Sequence, residues 1–282
     1  MTSEELNRLY RDYRGERYLR ERQRWEPWYT RALNEATLQA GVAEARQAAL
    51  RSLLQQAGWA PGERRLILDI GGDRGQCIPL DCSDGAYVLE ANAVEPVTGV
   101  QRISSLAELP RPAELVLCLH VLEHLPDPVS FVREFAESGQ LAPGCLVVLE
   151  VPQERPWLGP GLGSRLYQSW LELLGRWPAL AIAVDFPATV ARLTVGLVMP
   201  PLFMKLHEHV GFFTEESLRH LAEGAGFSVL LTETVEAHSP RRHQGVLVLV
   251  AEVAQGDIQT AEATIEQHRR RREERTTPAQ GL

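Results

Sequence analysis

An α/β fold, built on a doubly wound sheet of about seven strands, is predicted by three observations in the sequence. Short apolar runs recur from residue 66 onward, separated by helical or polar stretches, which is the rhythm of a parallel sheet covered on both faces. The first run leads into an acid and a cluster of glycines, RLILDIGGDRGQ at 65–76. The last two runs, 227–235 and 245–253, are joined by a polar loop with no helix between them, so they are expected to pair antiparallel and close the sheet as a terminal hairpin.

The elements follow in order. Residues 1–60 read as a helical N-terminal cap, with Val42, Ala45, Ala49 and Leu53 at helical spacing until Gly58 and Pro61 end the pattern. Within it YRDYRGERYLRERQRWEPWY sets tyrosines and tryptophans among arginines. That composition suits packing, or a cap over a cationic, aromatic ligand, in which case Tyr13 and Arg14 are the contact candidates. The runs 66–70, 86–89, 99–103, 114–119 and 145–151 are the expected parallel strands. Residues 155–204 form a helical insertion after the fifth strand, at the carboxyl edge where such sheets bind ligands. Its most apolar part is interrupted by Asp185, Arg192 and prolines, too often for a membrane span. A lid over the site or a face between two copies in a homodimer is favoured there over a membrane-surface contact. Residues 61–254 thus form the main domain, and 255–282 are a charged tail.

With 282 residues and 44% apolar content the chain can bury a full core. A formal charge of −8 gives no general attraction for nucleic acid, and no transmembrane segment is expected. Cys77, Cys82, Cys118 and Cys145 show no C-x-x-C spacing, and no signal peptide is read ahead of them. Free thiols in a reducing cytoplasm are expected.

The glycine turn carries the first chemistry. It reads as strand, tight turn and helix start, an arrangement that brings bare backbone N–H groups and a positive helix end to a ligand. Glu90 closes the next apolar run about 20 residues on, where a doubly wound sheet places a carboxylate to hold ribose hydroxyls. A nucleoside cofactor follows. Asp73, however, puts a negative side chain where a pyrophosphate would lie, whereas S-adenosylmethionine has no phosphate and carries an ammonium that welcomes carboxylates.

On these residues the sequence resembles the class I S-adenosylmethionine-dependent methyltransferases, whose first motif is a D-x-G-x-G-x-G variant; Asp73 replaces its middle glycine here. A second match, LCLHVLEHLPDPVSFVREF after the fourth strand, contains the family's VLEH-x-x-D-P segment. The resemblance implies a Rossmann-like fold and S-adenosylmethionine as cofactor. It implies binding by Asp69, Gly71, Gly72, Gly75 and Glu90, by His120 near the reactive methyl, and by Ser105 and Leu106 at the adenine. The same segment spells H-x-x-E-H (His120, Glu123, His124), a zinc-peptidase pattern when it lies on one helix. Pro126 and Pro128 deny it that helix, so no metal is expected.

The third match, KLHEHVGFFTEESLRHLAEGAGF at 205–227, is similar to a segment of bacterial methyltransferases acting on sugars or sugar-derived products. Thr214 is a good helix N-cap and Gly226 a good stop, which leaves His207 and His209 in the loop before the helix. An alcohol acceptor must lose a proton, and histidine is suited to taking it at neutral pH. His207 and His209, with His120 behind them, are the catalytic candidates for a metal-free O-methylation of a small molecule, a sugar favoured. The rivals are a nicotinamide oxidoreductase, disfavoured by Asp73 and the hairpin, and a cofactor-binding regulatory partner without turnover.

Overall fold

Seven strands form one sheet in the computed structural model, which describes residues 15–25, 30–32, 40–60, 63–90, 94–153, 165–195, 209–236 and 245–253. In chain order they are β1 (Arg65–Ile70), β2 (Ser83–Leu89), β3 (Gln101–Ile103), β4 (Ala113–Leu119), β5 (Leu141–Pro152), β6 (Phe227–Glu236) and β7 (Gly245–Val253). Across the sheet the order is β3-β2-β1-β4-β5-β7-β6. The first five strands pair parallel, and β7 runs antiparallel to both β5 and β6. The predicted sheet and its closing hairpin are therefore present, as is the reversal beside β1, the switch point at which doubly wound sheets bind ligands.

The connections differ from the expected rhythm. A helix is predicted directly after the glycine turn, yet residues 71–79 run through turns into one 3-10 turn, Leu80–Cys82, that hands the chain straight to β2. The cause is in the backbone. Gly71, Asp73 and Gly75 have φ of 66°, 57° and 71°, and such alternating left-handed residues cannot propagate a right-handed helix. The positive helix end expected to face a ligand does not exist. From β3 to β4 there is again only a 3-10 turn, Leu106–Glu108.

Cover for the sheet comes from elsewhere. Helix α1 (Glu16–Trp25) and helix α2 (Ala40–Gln56) precede β1, and α3 (Pro128–Ala136) crosses from β4 to β5. Helices α4 (Arg165–Arg176) and α5 (Pro178–Val195) lie in the insertion, and α6 (Glu215–Gly224) leads into β6. On one face Leu50, Leu53 and Leu54 of α2, with Trp59, pack on Ile67, Val88, Leu115 and Val148. On the other, Val132 and Phe135 of α3 and Leu218 and Leu221 of α6 pack on Leu68, Val116, Val147 and Leu249. Each such large side chain contributes about 1.5–3 kcal/mol by leaving water. In α6, Thr214 and Ser217 form the reciprocal cap that the sequence signals.

Helix α1 packs against α5, and Tyr18 and Leu19 are buried. Within α5, Thr189 donates from Oγ1 to the buried Asp185 at 3.0 Å. Leu173, Trp177 and Phe186 remain exposed, in keeping with the apolar character read from the sequence. Among the described residues no helix is long and apolar enough to cross a membrane. Cys77, Cys118 and Cys145 are buried and Cys82 half-buried, all as free thiols.

Candidate active site

Side-chain parity explains which charges meet at the carboxyl edge of the sheet. Successive residues of a strand point to opposite faces, so Asp69, two positions after Ile67, and Glu150, two after Val148, both turn toward α2. There they meet Arg46. Its guanidinium donates to Glu150 Oε1, while Gln47 Nε2 donates to the Gln76 carbonyl at 2.9 Å. One turn of α2 is thereby tied to both the end of β5 and the loop that follows the glycine turn.

Asp69 is the most unusual group. It is 1% exposed, and neither carboxylate oxygen has a hydrogen-bond partner among the described residues. Burial pushes its pKa up to about 7; Arg46 opposes this, and the negative charges of Glu150, Glu90 and Asp73 add to it. A Cβ placed on Gly72 would lie 2.0 Å from Asp69 Oδ2, so only glycine lets the turn fold down over this carboxylate. Glu90, half-buried, follows β2 on the adjacent strand and donates its N–H to the Ile103 carbonyl at 3.2 Å. The edge of the sheet thus gathers four carboxylates against the cations of Arg46 and His120, a surplus of negative charge that fits a cationic ligand better than a pyrophosphate.

His120 closes β4 in a left-handed conformation, φ 57°, that turns its ring between two acids. Nδ1 lies 3.2 Å from Glu123 Oε1 and Nε2 lies 2.9 Å from Glu150 Oε1. Burial alone would depress its pKa, but the hydrogen bonds to Glu123 and Glu150 prevail and raise it to about 9. Burial likewise disfavours the Glu150 carboxylate, yet Arg46 and His120 hold its pKa down at about 2. At neutral pH His120 is an imidazolium with both nitrogens donating. The sequence placed it among the catalytic candidates; this geometry leaves it no lone pair for an acceptor's proton.

The remaining sequence candidates fall as follows. Ser105 is exposed after β3, and its Oγ accepts from the Ala107 N–H at 3.3 Å, capping the 3-10 turn. Leu106 packs on the core. His209 stands beside His124, ring centroids 4.9 Å apart. Tyr13, Arg14 and His207 lie outside the described residues. Arg46 and Glu150 were missed: Arg46 sits inside a helical pattern, and Glu150 had the same signal as Glu90, an acid late in an apolar strand. A groove of about 380 Å³ between α3 and α6, lined by Val129, Arg133, Phe212 and Leu221 among others, includes none of these charged residues.

Residues 42–232 match the family model described as Methyltransferase domain. No curated protein sequence matches the chain. Among solved structures, the 1,6-didemethyltoxoflavin-N1-methyltransferase of Burkholderia thailandensis, holding 1,6-didemethyltoxoflavin and S-adenosylhomocysteine, is similar with a TM-score of 0.51 at 14% identity; 90% of this chain and 92% of that one are covered. The magnesium protoporphyrin IX methyltransferase of Synechocystis PCC 6803 gives 0.48 at 15% identity, over 88% and 100% of the two chains. A putative sarcosine dimethylglycine methyltransferase of Galdieria sulphuraria gives 0.46 at 14%, over 79% and 88%. With the glycine turn after its first strand, the VLEH segment after its fourth, the strand order and a family match over more than half its length, the chain belongs to the class I S-adenosylmethionine-dependent methyltransferases.

Proposed function

We propose that this chain transfers the methyl group of S-adenosylmethionine to an oxygen of a small molecule, a sugar or sugar-derived product. The observation that supports the cofactor most directly is the surplus of carboxylate at the sheet edge, above all the buried, unpartnered Asp69. S-adenosylmethionine supplies an activated methyl on a sulfonium and an ammonium at its amino-acid end. The Gly71–Gly72 backbone holds that end over the buried charge of Asp69, Glu90 accepts from the ribose hydroxyls, and Ser105 and Leu106 flank the adenine. Tyr13 and Arg14 contact the cofactor from the N-terminal cap. The sugar class rests on the likeness of residues 205–227 to segments of sugar methyltransferases. Residues 155–204 cover the acceptor.

Displacement at the methyl carbon needs the acceptor oxygen held about 3 Å away and in line, which positioning alone can accelerate greatly. The acceptor's proton goes to His207 or His209. His120, kept charged by Glu123 and Glu150, adds positive charge beside the acceptor and fixes the floor of the site.

Calorimetry with S-adenosylhomocysteine tests the reading, with NAD as control. Asp69 must be ionised to pair with the cofactor's ammonium, so affinity should fall as pH drops below about 7, by up to about tenfold per unit, and level off above it. Asp69→Asn should bind more weakly and lose that slope. A pH-independent affinity in the native protein would remove Asp69 from the contact. Glu90→Ala should cost on the order of 1.5–3 kcal/mol of affinity, and unchanged binding would move the ribose site elsewhere. Binding without methylated product across a panel of sugars would favour the regulatory partner.

A further inference from the structure

We propose that Glu123, His124 and His209 form a binding site for a divalent transition-metal ion of the zinc class. Each offers one ligand atom, and these lie within 4.8 Å of one another. The sequence argued against a metal because prolines deny His120, Glu123 and His124 a common helix. Leu122–His124 is indeed a single 3-10 turn, but the completing donor arrives from a different segment.

The backbone brings it there. The N–H groups of Val210 and Gly211 both donate to the Glu123 carbonyl, at 2.7 and 2.9 Å. A Cβ on Gly211 would sit in ordinary van der Waals contact with the Glu123 Cα, at 3.7 Å. The residue before this clamp, His209, is thereby placed against His124, their rings edge to face. Glu123 itself is 1% exposed. Its Oε1 faces both His120 Nδ1, at 3.2 Å, and His124 Nε2, at 3.7 Å, whereas Oε2 is buried with no hydrogen-bond partner among the described residues. A buried carboxylate oxygen left without a donor is costly, and a cation held by this carboxylate and the two imidazoles would relieve that cost.

The donor chemistry selects the ion. Two imidazoles suit zinc, copper, nickel or iron rather than magnesium or calcium. Two histidines and one glutamate make a three-ligand tetrahedral set whose fourth position stays open. Ligand atoms at about 2.0–2.2 Å from such an ion stand roughly 3.3–3.5 Å apart, so the cluster must contract around it. The His120 imidazole on Glu123 Oε1 supplies the outer contact that orients a ligating carboxylate. With His209 holding an ion through its lone pair, the proton-accepting role in the methyl transfer proposed above falls to His207. In that respect alone the site rests on the methyltransferase reading.

Untagged protein, stripped with chelator, is titrated with zinc chloride by calorimetry and with cobalt(II) chloride by visible absorption. The expected result is one-to-one zinc binding, intense tetrahedral cobalt bands, and no competition by millimolar magnesium. His124→Ala and His209→Ala should each weaken zinc binding by more than about 100-fold, beyond what losing a supporting contact costs, while S-adenosylhomocysteine affinity persists. Failure of the native protein to bind zinc, or equal binding by both variants, overturns the site. Neither result touches cofactor binding, so the metal can fail while the methyltransferase reading stands.

Discussion

Replacing Glu150 by Gln is expected to lower the free energy of unfolding by about 2–3 kcal/mol at pH 6. Removing one member of a buried ion pair costs roughly 3–5 kcal/mol; the partial exposure of Arg46 and His120, 28% and 32% at the side chain, lets water return some of that. Gln keeps the shape and some of the hydrogen bonding, so the loss reports charge. The pH dependence gives the sign. Glu150 titrates near 2 in the fold, against an ordinary 4.5, so its contribution is present above about pH 4.5 and lost as pH falls toward 2. His120 titrates near 9 in the fold against 6.5; its contribution is complete below about 6.5 and lost as pH rises through 9. Urea unfolding at pH 3, 6 and 9.5 should therefore show the largest gap between native protein and variant at pH 6. Equal stability at pH 6 would mean that the Arg46–Glu150–His120 chain does not hold the folded state.

The sequence made the sheet legible because strands buried on both faces write themselves as continuous apolar runs, and 66–70, 114–119 and 145–151 are such runs. The same reading overextended at the glycine turn. D-x-G-G-D-R-G reads as the start of a helix, but positive φ at Gly71, Asp73 and Gly75 is a tertiary choice that local pattern does not record. Asp69 and Glu90 are legible as candidates because motif and spacing point to them. Arg46 and Glu150 escaped because their meaning lies in pairing across 104 positions, and pairing is set by strand parity and by the docking of α2. The Glu123–His209 contact was hidden for a related reason: it depends on two backbone hydrogen bonds from the loop ahead of α6 to the turn after β4, and neither partner's side chain announces them.

Loss of the proton acceptor is the larger expected effect on turnover. With oxygen as acceptor, the Ala variant of the base should lower kcat by about 10²–10⁴ while S-adenosylhomocysteine binds as before, since neither His207 nor His209 is placed on the cofactor. The rate of the native protein should climb with pH over the range in which an imidazole loses its proton, and that limb should vanish in the variant. The two histidines separate by metal content. If the zinc site is real, His207→Ala carries the loss in kcat with metal retained, and His209→Ala loses the metal. If His209→Ala lowers kcat and abolishes the pH limb in chelator-treated protein as well, His209 is the base and acts without an ion. His120→Gln is the control: its ring donates from both nitrogens at neutral pH, so the substitution should change KM and stability but leave the pH limb in place. Near-native kcat and an unchanged profile in both His207→Ala and His209→Ala would assign the proton to another group, or the methyl to an acceptor that needs no base.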